Sequence, residues 1–470
     1  MKTLFAFIVT CFFFSETFSQ APVFALPPES YYINRGFNFI QVKDGYLGIT
    51  LLYNSKKYGN QTNGVAVVNY NNKMVKLGEN PLSEGKSVYS DFKPQLVKGN
   101  KIWLITGEFA NKFGRQGDIR ATEIVPETYK EGASKIIVTS DELKELEKHY
   151  DVKRVIIKSS PNLKYHCLFY GHPSDEKFFI ACLNSDFDPV WKREKQLEKT
   201  DFHQVSDVSI NDEGEIVTVT IAKSVATITK YDVKGSAVDQ QLNFGSAEPA
   251  FIDILQSRSG KTYIGGTIFK DSKLQNAVFI ANLEKDNLIN SIKQLDIPGI
   301  ILERLAKDGL AKTDDKKNGL TGRYIHSELV EQSDGKIKLV TETTYADKQE
   351  PNNNFMGFGG LLITNFSNEE NPFSLIPKFV VEMNSWPRIN QFVAVPSQNY
   401  ITVIYSDNDQ NINIDLKERQ KPLNGRANAA LYAATIDNNG VIKRDIFSTM
   451  SKDLKGTAEF WIQTYLANKQ

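Results

Sequence analysis

An acidic stretch near the C-terminal end has the residue spacing that most closely matches a known kind of site. Counting from Asp407, side chains with carboxylate or amide oxygens occupy positions 1, 3, 5, 7, 9 and 12 of a short segment. These residues are Asp407, Asp409, Asn411, Asn413, Asp415 and Glu418. A calcium loop uses oxygen ligands at this spacing, with a final Glu that binds through both carboxylate oxygens. The spacing therefore predicts a calcium site at these six residues.

The sixth position of this segment departs from the calcium-loop pattern. A calcium loop has Gly there so that the chain can turn sharply, whereas this chain has Ile412. A β-branched residue resists a positive φ, and the flanking segments have strand-like rather than helical patterns. Two interpretations stay open, namely a calcium loop and a solvated loop between two strands. No other cofactor is expected.

Two cysteines remain once the N-terminal segment is set aside, and they lie on either side of a polar turn. Cys167 and Cys182 belong to apolar stretches that flank residues 171–176. If those stretches pair as an antiparallel hairpin, the two cysteines fall opposite each other. An oxidising compartment permits a disulfide, but cross-strand neighbours are often too close or badly angled for a relaxed bridge. Two buried thiols are the preferred interpretation, and a disulfide stays open.

Motifs for catalysis do not stand out. The histidines lack the close spacing of a zinc site, and the sequence has no Gly-x-Ser-x-Gly elbow. The glycine-rich segment 357–360 lacks the Lys that follows in a phosphate loop. Four tryptophans could stack on sugars or pack in a core, and core packing is the simpler interpretation: Trp103, Trp191, Trp386 and Trp461. The sequence therefore assigns no catalytic residue.

The elements that must position these residues are short β-strands. Runs rich in Val, Ile, Thr, Tyr and Phe alternate with turns of Gly, Asn, Asp and Ser. One order recurs: a first strand, a polar turn, an aromatic strand, a variable loop, an apolar strand, a second turn and a polar strand. The last copy shows it at 392–395, 400–405, 429–436 and 441–444. About seven units of roughly 50 to 65 residues result.

Four antiparallel strands per unit, repeated radially, predict an all-β fold: a β-propeller of about seven four-stranded blades. Such a ring also explains how a long all-β chain avoids an open sheet edge. A multi-domain β-sandwich is the alternative, while a right-handed β-helix would demand shorter and stricter repeats. We expect one propeller domain over 20–470, interrupted by insertions near 124–150 and 296–322. In the first insertion, Thr139 and Glu142 fit a helix capping box.

The N-terminal segment has the order of a secretory signal. Lys2 precedes an apolar run at 4–14, and small or modest residues at 17–19 offer a cleavage point. The run is shorter than the ~20 apolar residues of a membrane span. We expect residues 1–19 to be removed and the mature chain to be periplasmic, at the cell surface or extracellular. Lipidation at Cys11, or burial of the segment in the fold, is the alternative.

The amino-acid composition narrows the classes of partner that the chain is expected to bind. Lys plus Arg and Asp plus Glu number 56 each, so no net field attracts nucleic acid or an anionic membrane. The mature chain has no second long apolar segment, so no transmembrane segment is expected there. The repeat, together with a signal followed by Gln20, resembles exported Bacteroidota β-propellers, without any more specific family signature. That resemblance implies a fold and a compartment but no activity.

Three hypotheses about function remain from the sequence. The first is a non-catalytic scaffold that binds a protein or a glycan. The second is a hydrolase or lyase acting on glycans, with carboxylates and a His in the propeller channel. The third is a structural component of an envelope assembly. A strand near 459–466 is also expected to complete the first blade and close the ring.

Overall fold

The computed structural model describes residues 38–42, 45–53, 62–71, 76–82, 86–87, 95–97, 101–109, 116–125, 127–143, 154–171, 177–197, 203–222, 225–245, 247–269, 275–283, 289–307, 324–350, 353–378, 380–383, 392–418, 420–421, 423–424 and 428–449. The expected signal peptide and the expected closing strand lie outside these residues.

Seven sheets, antiparallel apart from one strand pair in the sixth, follow one another along the described chain, which confirms the predicted all-β propeller of about seven blades. Five of the sheets have four strands, hydrogen-bonded in the order in which they occur in the sequence. The first strands of sheets 3 to 7 contact each other in succession. This arrangement places the first strand of each blade next to the central channel and the fourth at the outer edge.

The first three sheets occupy the N-terminal part of the described chain. Sheet 1 contains β1 (Asn38–Val42), β2 (Gly45–Tyr53), β3 (Thr62–Asn71) and β4 (Lys76–Pro81). Sheet 2 contains β5 (Lys86–Ser87), β6 (Gln95–Val97), β7 (Lys101–Phe109), β8 (Gln116–Ile124) and β9 (Glu131–Val138). Sheet 3 contains β10 (Arg154–Ser159), β11 (Tyr165–Gly171), β12 (Lys177–Asn184) and β13 (Pro189–Gln196).

The remaining four sheets complete the series. Sheet 4 contains β14 (His203–Ile210), β15 (Ile216–Ala222), β16 (Val225–Tyr231) and β17 (Ala237–Leu242). Sheet 5 contains β18 (Glu248–Gln256), β19 (Thr262–Phe269), β20 (Gln275–Leu283) and β21 (Ile289–Asp296). Sheet 6 contains β22 (Tyr324–Glu331), β23 (Ile337–Glu350), β24 (Asn353–Asn365), β25 (Phe373–Ile376), β26 (Val380–Met383) and β29 (Leu423–Asn424). Sheet 7 contains β27 (Val393–Pro396), β28 (Tyr400–Asn408), β30 (Ala429–Asp437) and β31 (Ile442–Thr449).

Helices are few and short in the described residues. Helix α1 spans Ser140–Leu143 and starts with the expected capping box, since Thr139 N donates to Glu142 Oε2 at 2.8 Å and Glu142 N donates to Thr139 Oγ1 at 3.2 Å. Helix α2 spans Gly299–Lys307, within the second expected insertion. In the first expected insertion, residues 131–138 instead form β9, the last strand of sheet 2. None of the described helices has the length and apolarity needed to cross a membrane.

Asp and Asn side chains shape the hairpin turns at equivalent places in the blades. Asp232 Oδ1 accepts hydrogen bonds from the backbone N–H groups of Lys234 and Ser236, both at 2.8 Å. Asp437 Oδ1 accepts from two backbone N–H groups in the corresponding turn of sheet 7. These side chains satisfy the backbone of a tight turn locally. The repeat therefore needs only turn residues and alternating strands, which explains why its sequence is so degenerate.

The core consists of apolar layers between neighbouring sheets. Leu47 and Leu104 belong to the layer between sheets 1 and 2, and Val219 and Ile264 to the layer between sheets 4 and 5. Equivalent layers join the other consecutive sheets from 2 to 7. Trp103 and Trp191 are 3% and 7% exposed within such layers, which confirms core packing for these two tryptophans; Trp386 and Trp461 lie outside the described residues.

Sheet 6 is built differently from its neighbours. The C-terminal half of β24 pairs with β25, and its N-terminal half pairs with β26. A loop of sheet 7 then contributes β29, which pairs in parallel with β26. The ammonium of Lys378, between β25 and β26, forms an ion pair with Glu342 on β23, and both side chains are buried. Blades 6 and 7 are thus joined by a shared strand as well as by their apolar layer.

Candidate functional site in the propeller channel

Four charged side chains come together on the first strands of sheets 3 to 6. They are Lys158 on β10, Asp207 on β14, Asp253 on β18 and Glu328 on β22, here called the channel group. Lys158 Nζ lies 3.5 Å from Asp207 Oδ1. The charges of Asp253 and Glu328 also act on this ammonium. Consecutive blades therefore each supply one charged residue to the same region of the channel.

Two of these carboxyl groups also bind the backbone of the next blade. Asp207 Oδ2 accepts a hydrogen bond from Ile254 N at 3.2 Å. Asp253 Oδ2 accepts one from Leu329 N at 2.5 Å. In both cases the donor is the residue directly after the next charged member of the channel group. The same contact thus repeats from blade 4 to blade 5 and from blade 5 to blade 6.

The local sequence explains why these residues lie at equivalent places. Asp207, Asp253 and Glu328 each stand seven residues before the glycine of the first hairpin turn in their blade. The first hairpins of sheets 4, 5 and 6 have turns of equal length, so their strand registers correspond. An acidic residue at a constant distance from a repeated turn glycine is a signal that sequence reasoning missed. Lys158 has no such marker, since its turn is longer and lacks glycine.

Burial and neighbouring charges shift the proton affinities within the channel group. Burial raises the pKa of Asp253 well above its usual range, and the Asp207 carboxylate raises it further. Attraction to Asp207 raises the pKa of Lys158, with smaller contributions from Asp253 and Glu328, so the ammonium is firmly retained. The Lys158 side chain is nevertheless 47% exposed, against 9% for Asp207. Solvent therefore reaches part of the Lys158 side chain but hardly reaches the Asp207 carboxylate.

The six residues of the predicted calcium loop divide into a buried pair and a more exposed remainder. Asp407 and Asn411 are both buried, and Asn411 Nδ2 donates to Asp407 Oδ1 at 3.0 Å. Asn411 Oδ1 accepts from Lys421 N at 2.8 Å. A 3-10 helix spans Asp409–Asn413 in place of the glycine turn of a calcium loop, in keeping with Ile412. The structure thus brings Asp407 and Asn411 into contact through protein hydrogen bonds.

The remaining loop residues lie further out. Asn413, Asp415 and Glu418 are exposed, and Asp409 is partly buried at the start of the 3-10 helix. The backbone of this loop is held by arginines: Arg444 donates to the carbonyl oxygens of Asn411 and Ile414 at 2.9 and 2.7 Å, and Arg304 on α2 donates to those of Lys417 and Glu418. Among the described residues, no three His, Cys, Asp or Glu side chains are gathered as metal ligands. The calcium site stays a prediction.

The cysteines occupy the register that the hairpin pattern predicts. Cys167 on β11 is directly opposite Cys182 on β12, and both are buried free thiols in this structure. Burial raises the pKa of Cys167 well above its usual range and that of Cys182 to about 11. Neither thiol therefore ionises readily, and neither has the electropositive, accessible setting of a reactive cysteine.

Only one histidine has a described side chain. His166 is buried and stacks on Phe187 with ring centroids 4.3 Å apart, and its Nδ1 lies 2.9 Å from Ser159 Oγ. Burial lowers its pKa to about 4, so the ring is neutral near pH 7 and packs as a core residue. His203 and His326 lie on β14 and β22, while His149 and His172 lie outside the described residues.

Comparisons with known proteins return similarity in structure alone. No protein-family model and no curated protein matches the chain. A protein from Lactobacillus plantarum is 11% identical with a TM-score of 0.41, and the match covers 89% of this chain and 96% of that one. The WD40 domain of SCAP from fission yeast is 8% identical with a TM-score of 0.37, with 91% and 90% covered.

Two of the solved structures belong to hydrolases that are longer than this chain. Prolyl oligopeptidase B from Galerina marginata is 10% identical with a TM-score of 0.37, and the match covers 77% of this chain but 44% of that one. Puromycin hydrolase is 12% identical with a TM-score of 0.41, with 81% and 52% covered. The chain therefore spans about half the length of these two enzymes.

Proposed function

We propose that this chain is an exported β-propeller that binds a polar ligand, a glycan or a segment of protein, at the channel group and does not catalyse its conversion. The observation that carries the proposal is Lys158, whose side chain is about half exposed while the charges of Asp207, Asp253 and Glu328 act on its ammonium from three other blades. Residues 1–19 support export, because a charged residue is followed by an apolar run and then by small residues, as in a signal peptide.

The energetics of the channel group favour a binding role. Bringing charged side chains together in a partly desolvated region is costly and does little for stability by itself. Here a rigid ring of strands fixes the group, so a ligand meets side chains that are already oriented. The Lys158 side chain is partly exposed and offers N–H donors, and Glu328 is a partly buried acceptor whose charge acts on the same ammonium.

The contacts of the two aspartates favour binding over glycoside hydrolysis. Asp207 and Asp253 each accept a backbone N–H group of the next blade. Both carboxyl groups therefore already serve to hold neighbouring first strands together.

The exposed aliphatic residues do not favour an assembly role. Leu77, Val190, Val238, Ile300 and Val441 are among the most exposed large apolar residues of the described part, and they lie in or next to five different blades. Single apolar residues scattered over a surface are ordinary in a monomer, whereas an assembly interface requires a contiguous patch.

Ligand screening with a matched pair of lysine variants tests the proposal. Neutral oligosaccharides and short peptides would be titrated against the wild type, K158M and K443M, with binding measured by calorimetry. Lys443 lies on the outer strand of sheet 7 and is 80% exposed, so its loss serves as the control. We expect a ligand that binds the wild type and K443M but not K158M. A ligand that binds all three equally, or turnover of a bound oligosaccharide, would overturn the proposal.

A further inference from the structure

A polar cleft with a volume of about 620 Å³ opens between blades 6 and 7, and its lining includes no member of the channel group. It lies between the loop that joins β24 to β25 and the turn that joins β30 to β31, and Lys336 of the β22–β23 turn also lines it. The described residues that line it are five asparagines, two glutamates, a serine and this lysine. Ligand sites commonly have volumes of roughly 300–1,000 Å³, so the cleft is large enough for a small polar molecule.

The equivalent contact between blades 3 and 4 is filled by an aromatic ring. There the turn glycine of blade 4, Gly235, lies so close to the Trp191 ring that a Cβ would meet it at 2.8 Å. The corresponding glycine of blade 7, Gly440, lies instead against Ser374, whose Oγ donates to Gly440 O at 3.4 Å. A small hydroxyl group thus stands where the other junction has an indole. Because a large side chain can fill this place between two blades, the fold itself does not require a cleft.

One acceptor in the lining of the cleft is buried without a hydrogen bond. Asn438 Oδ1 has no partner among the described residues, whereas Asn438 O accepts from Asn365 Nδ2 at 3.4 Å and from Asn368 Nδ2 at 3.3 Å. The turn does not need an asparagine here, since the corresponding turn of blade 4 has Val233 at this position and makes the same backbone hydrogen bonds. A buried acceptor without a donor destabilises the fold, and a ligand that donates to it would remove this cost.

A second buried acceptor lies in the same junction between blades 6 and 7. Gln332 is 0% exposed, its Nε2 donates to Ser397 O of blade 7 at 3.3 Å, and its Oε1 has no partner in the described part of the chain. Its backbone N–H donates to the carbonyl oxygen of Lys336, which lines the cleft. Both side-chain oxygens need N–H or O–H donors that the described residues do not supply.

The charge around the cleft selects among polar ligands. Acidic side chains there outnumber lysines by four to two, with Asp334, Glu369, Glu370 and Asp437 against Lys336 and Lys338. The Lys336 ammonium lies 2.6 Å from Asp334 Oδ2, so its charge is largely compensated. The resulting field attracts a cation and repels an anion. A metal ion alone is not favoured, because no three His, Cys, Asp or Glu side chains of the described residues gather as ligands.

We propose that this cleft is a second binding site and that it takes a cationic amino sugar of one or two rings. The ammonium of the ligand faces the lining glutamates, and one of its hydroxyl groups donates to Asn438 Oδ1. Hydroxyl groups both donate and accept, as the amide groups of the lining asparagines do, so the rest of the ligand surface is matched as well. The site is separate from the channel group and does not rest on ligand binding there.

NMR titrations with glucosamine and its β-1,4-linked dimer test the site, with glucose as the uncharged counterpart of the same ring. At mildly acidic pH the amine is charged, and we expect the amino sugar to bind the wild type at least about tenfold more tightly than glucose. N438V gives the blade 7 turn the residue of the blade 4 turn, and it should weaken binding of the amino sugar at least about tenfold. S185V, at the same turn position in blade 3, is the matched control and should bind it as the wild type does.

The variant E370Q tests the contribution of charge separately from the contribution of the buried acceptor. Glu370 is exposed at the cleft, so the substitution should leave the fold intact and reduce the preference for glucosamine over glucose. The proposal is refuted if neither amino sugar binds the wild type, or if N438V binds them as tightly as S185V does. An unchanged preference for glucosamine in E370Q would likewise refute it.

Discussion

The ammonium of Lys158 and the carboxylate of Asp207 belong to adjacent blades and lie 3.5 Å apart, with the lysine half exposed and the aspartate nearly buried. The same aspartate holds the backbone of the following blade through Ile254 N. One carboxylate thus links the first strands of blades 3, 4 and 5. Ligand binding at Lys158 and the stability of the ring are therefore expected to be coupled.

Removing the ammonium should weaken the ring. We expect K158M to lower the free energy of unfolding by about 1–3 kcal/mol. The reason is that the Asp207 carboxylate stays nearly buried but loses its counter-ion. K443M is the matched control, since Lys443 and its partner Asp445 are 80% and 70% exposed and such surface pairs contribute little. Urea denaturation of the three proteins measures the difference. A K158M variant as stable as K443M would contradict the link.

The buried pair between β23 and the β25–β26 connection should behave differently from a surface ion pair. Lys378 and Glu342 are 0% and 1% exposed, and burial raises the pKa of Glu342 against the opposing effect of Lys378. We expect K378M alone to destabilise the fold by about 3–5 kcal/mol, because it leaves a buried carboxyl without its partner. The double variant K378M/E342L should recover most of this loss. A double variant as unstable as the single one would show that the pair's charge is not the cause.

A pair of glycine substitutions separates backbone strain from a steric clash. Gly235 and Gly260 have nearly the same φ, +80° and +79°. A Cβ at Gly235 would meet the Trp191 ring at 2.8 Å, whereas a Cβ at Gly260 has no atom within 4 Å. Both alanine variants are expected to destabilise the fold through the positive φ, and G235A by about 1–3 kcal/mol more. Thermal unfolding of G235A and G260A side by side measures this difference, and equal losses would argue against close packing on Trp191.

The buried imidazole predicts that the stability of the fold declines in acid. The pKa of His166 falls to about 4 in the folded chain, against about 6.5 when unfolded. The unfolded chain binds this proton more tightly, so the stability from the neutral ring is present above about pH 6.5 and is lost as the pH falls toward 4. An NMR titration of the ring protons should show no protonation near pH 6. Protonation there would contradict burial of the ring.

The calcium hypothesis is tested by melting the protein with calcium and with a chelator. A ligand that binds only the native state raises its stability, so the hypothesis predicts a higher melting temperature with calcium. E418Q should abolish the effect, because Glu418 is the expected bidentate ligand, and E369Q, at another exposed glutamate, should retain it. Identical melts of the wild type in calcium and in chelator would leave the solvated loop as the correct interpretation.

Much of the fold could be predicted from local chemistry. The alternation of the strands and turns such as 212–214 and 437–440 located most strands, and the turn at 171–176 correctly placed Cys167 opposite Cys182. The last strand of sheet 2 is not evident from the sequence: β9 has a polar and mostly exposed face, and it resembles a loop until its pairing with β8 is known.

The channel group could not be predicted in the same way. Lys158, Asp207, Asp253 and Glu328 are separated by between 46 and 75 residues along the chain, and each alone resembles an ordinary charged residue on a strand. Only the radial order of the blades brings them together. The constant distance from Asp207, Asp253 and Glu328 to a turn glycine is visible in the sequence, but its meaning depends on knowing which strand is innermost.

Ligand binding at the channel group is tested most directly by melting the wild type, K158M and K443M with the same oligosaccharides and peptides. We expect a ligand to raise the melting temperature of the wild type and of K443M, while K158M folds but shows no shift. A ligand that stabilises K158M as much as the wild type would contradict the assignment of the channel group as the binding site.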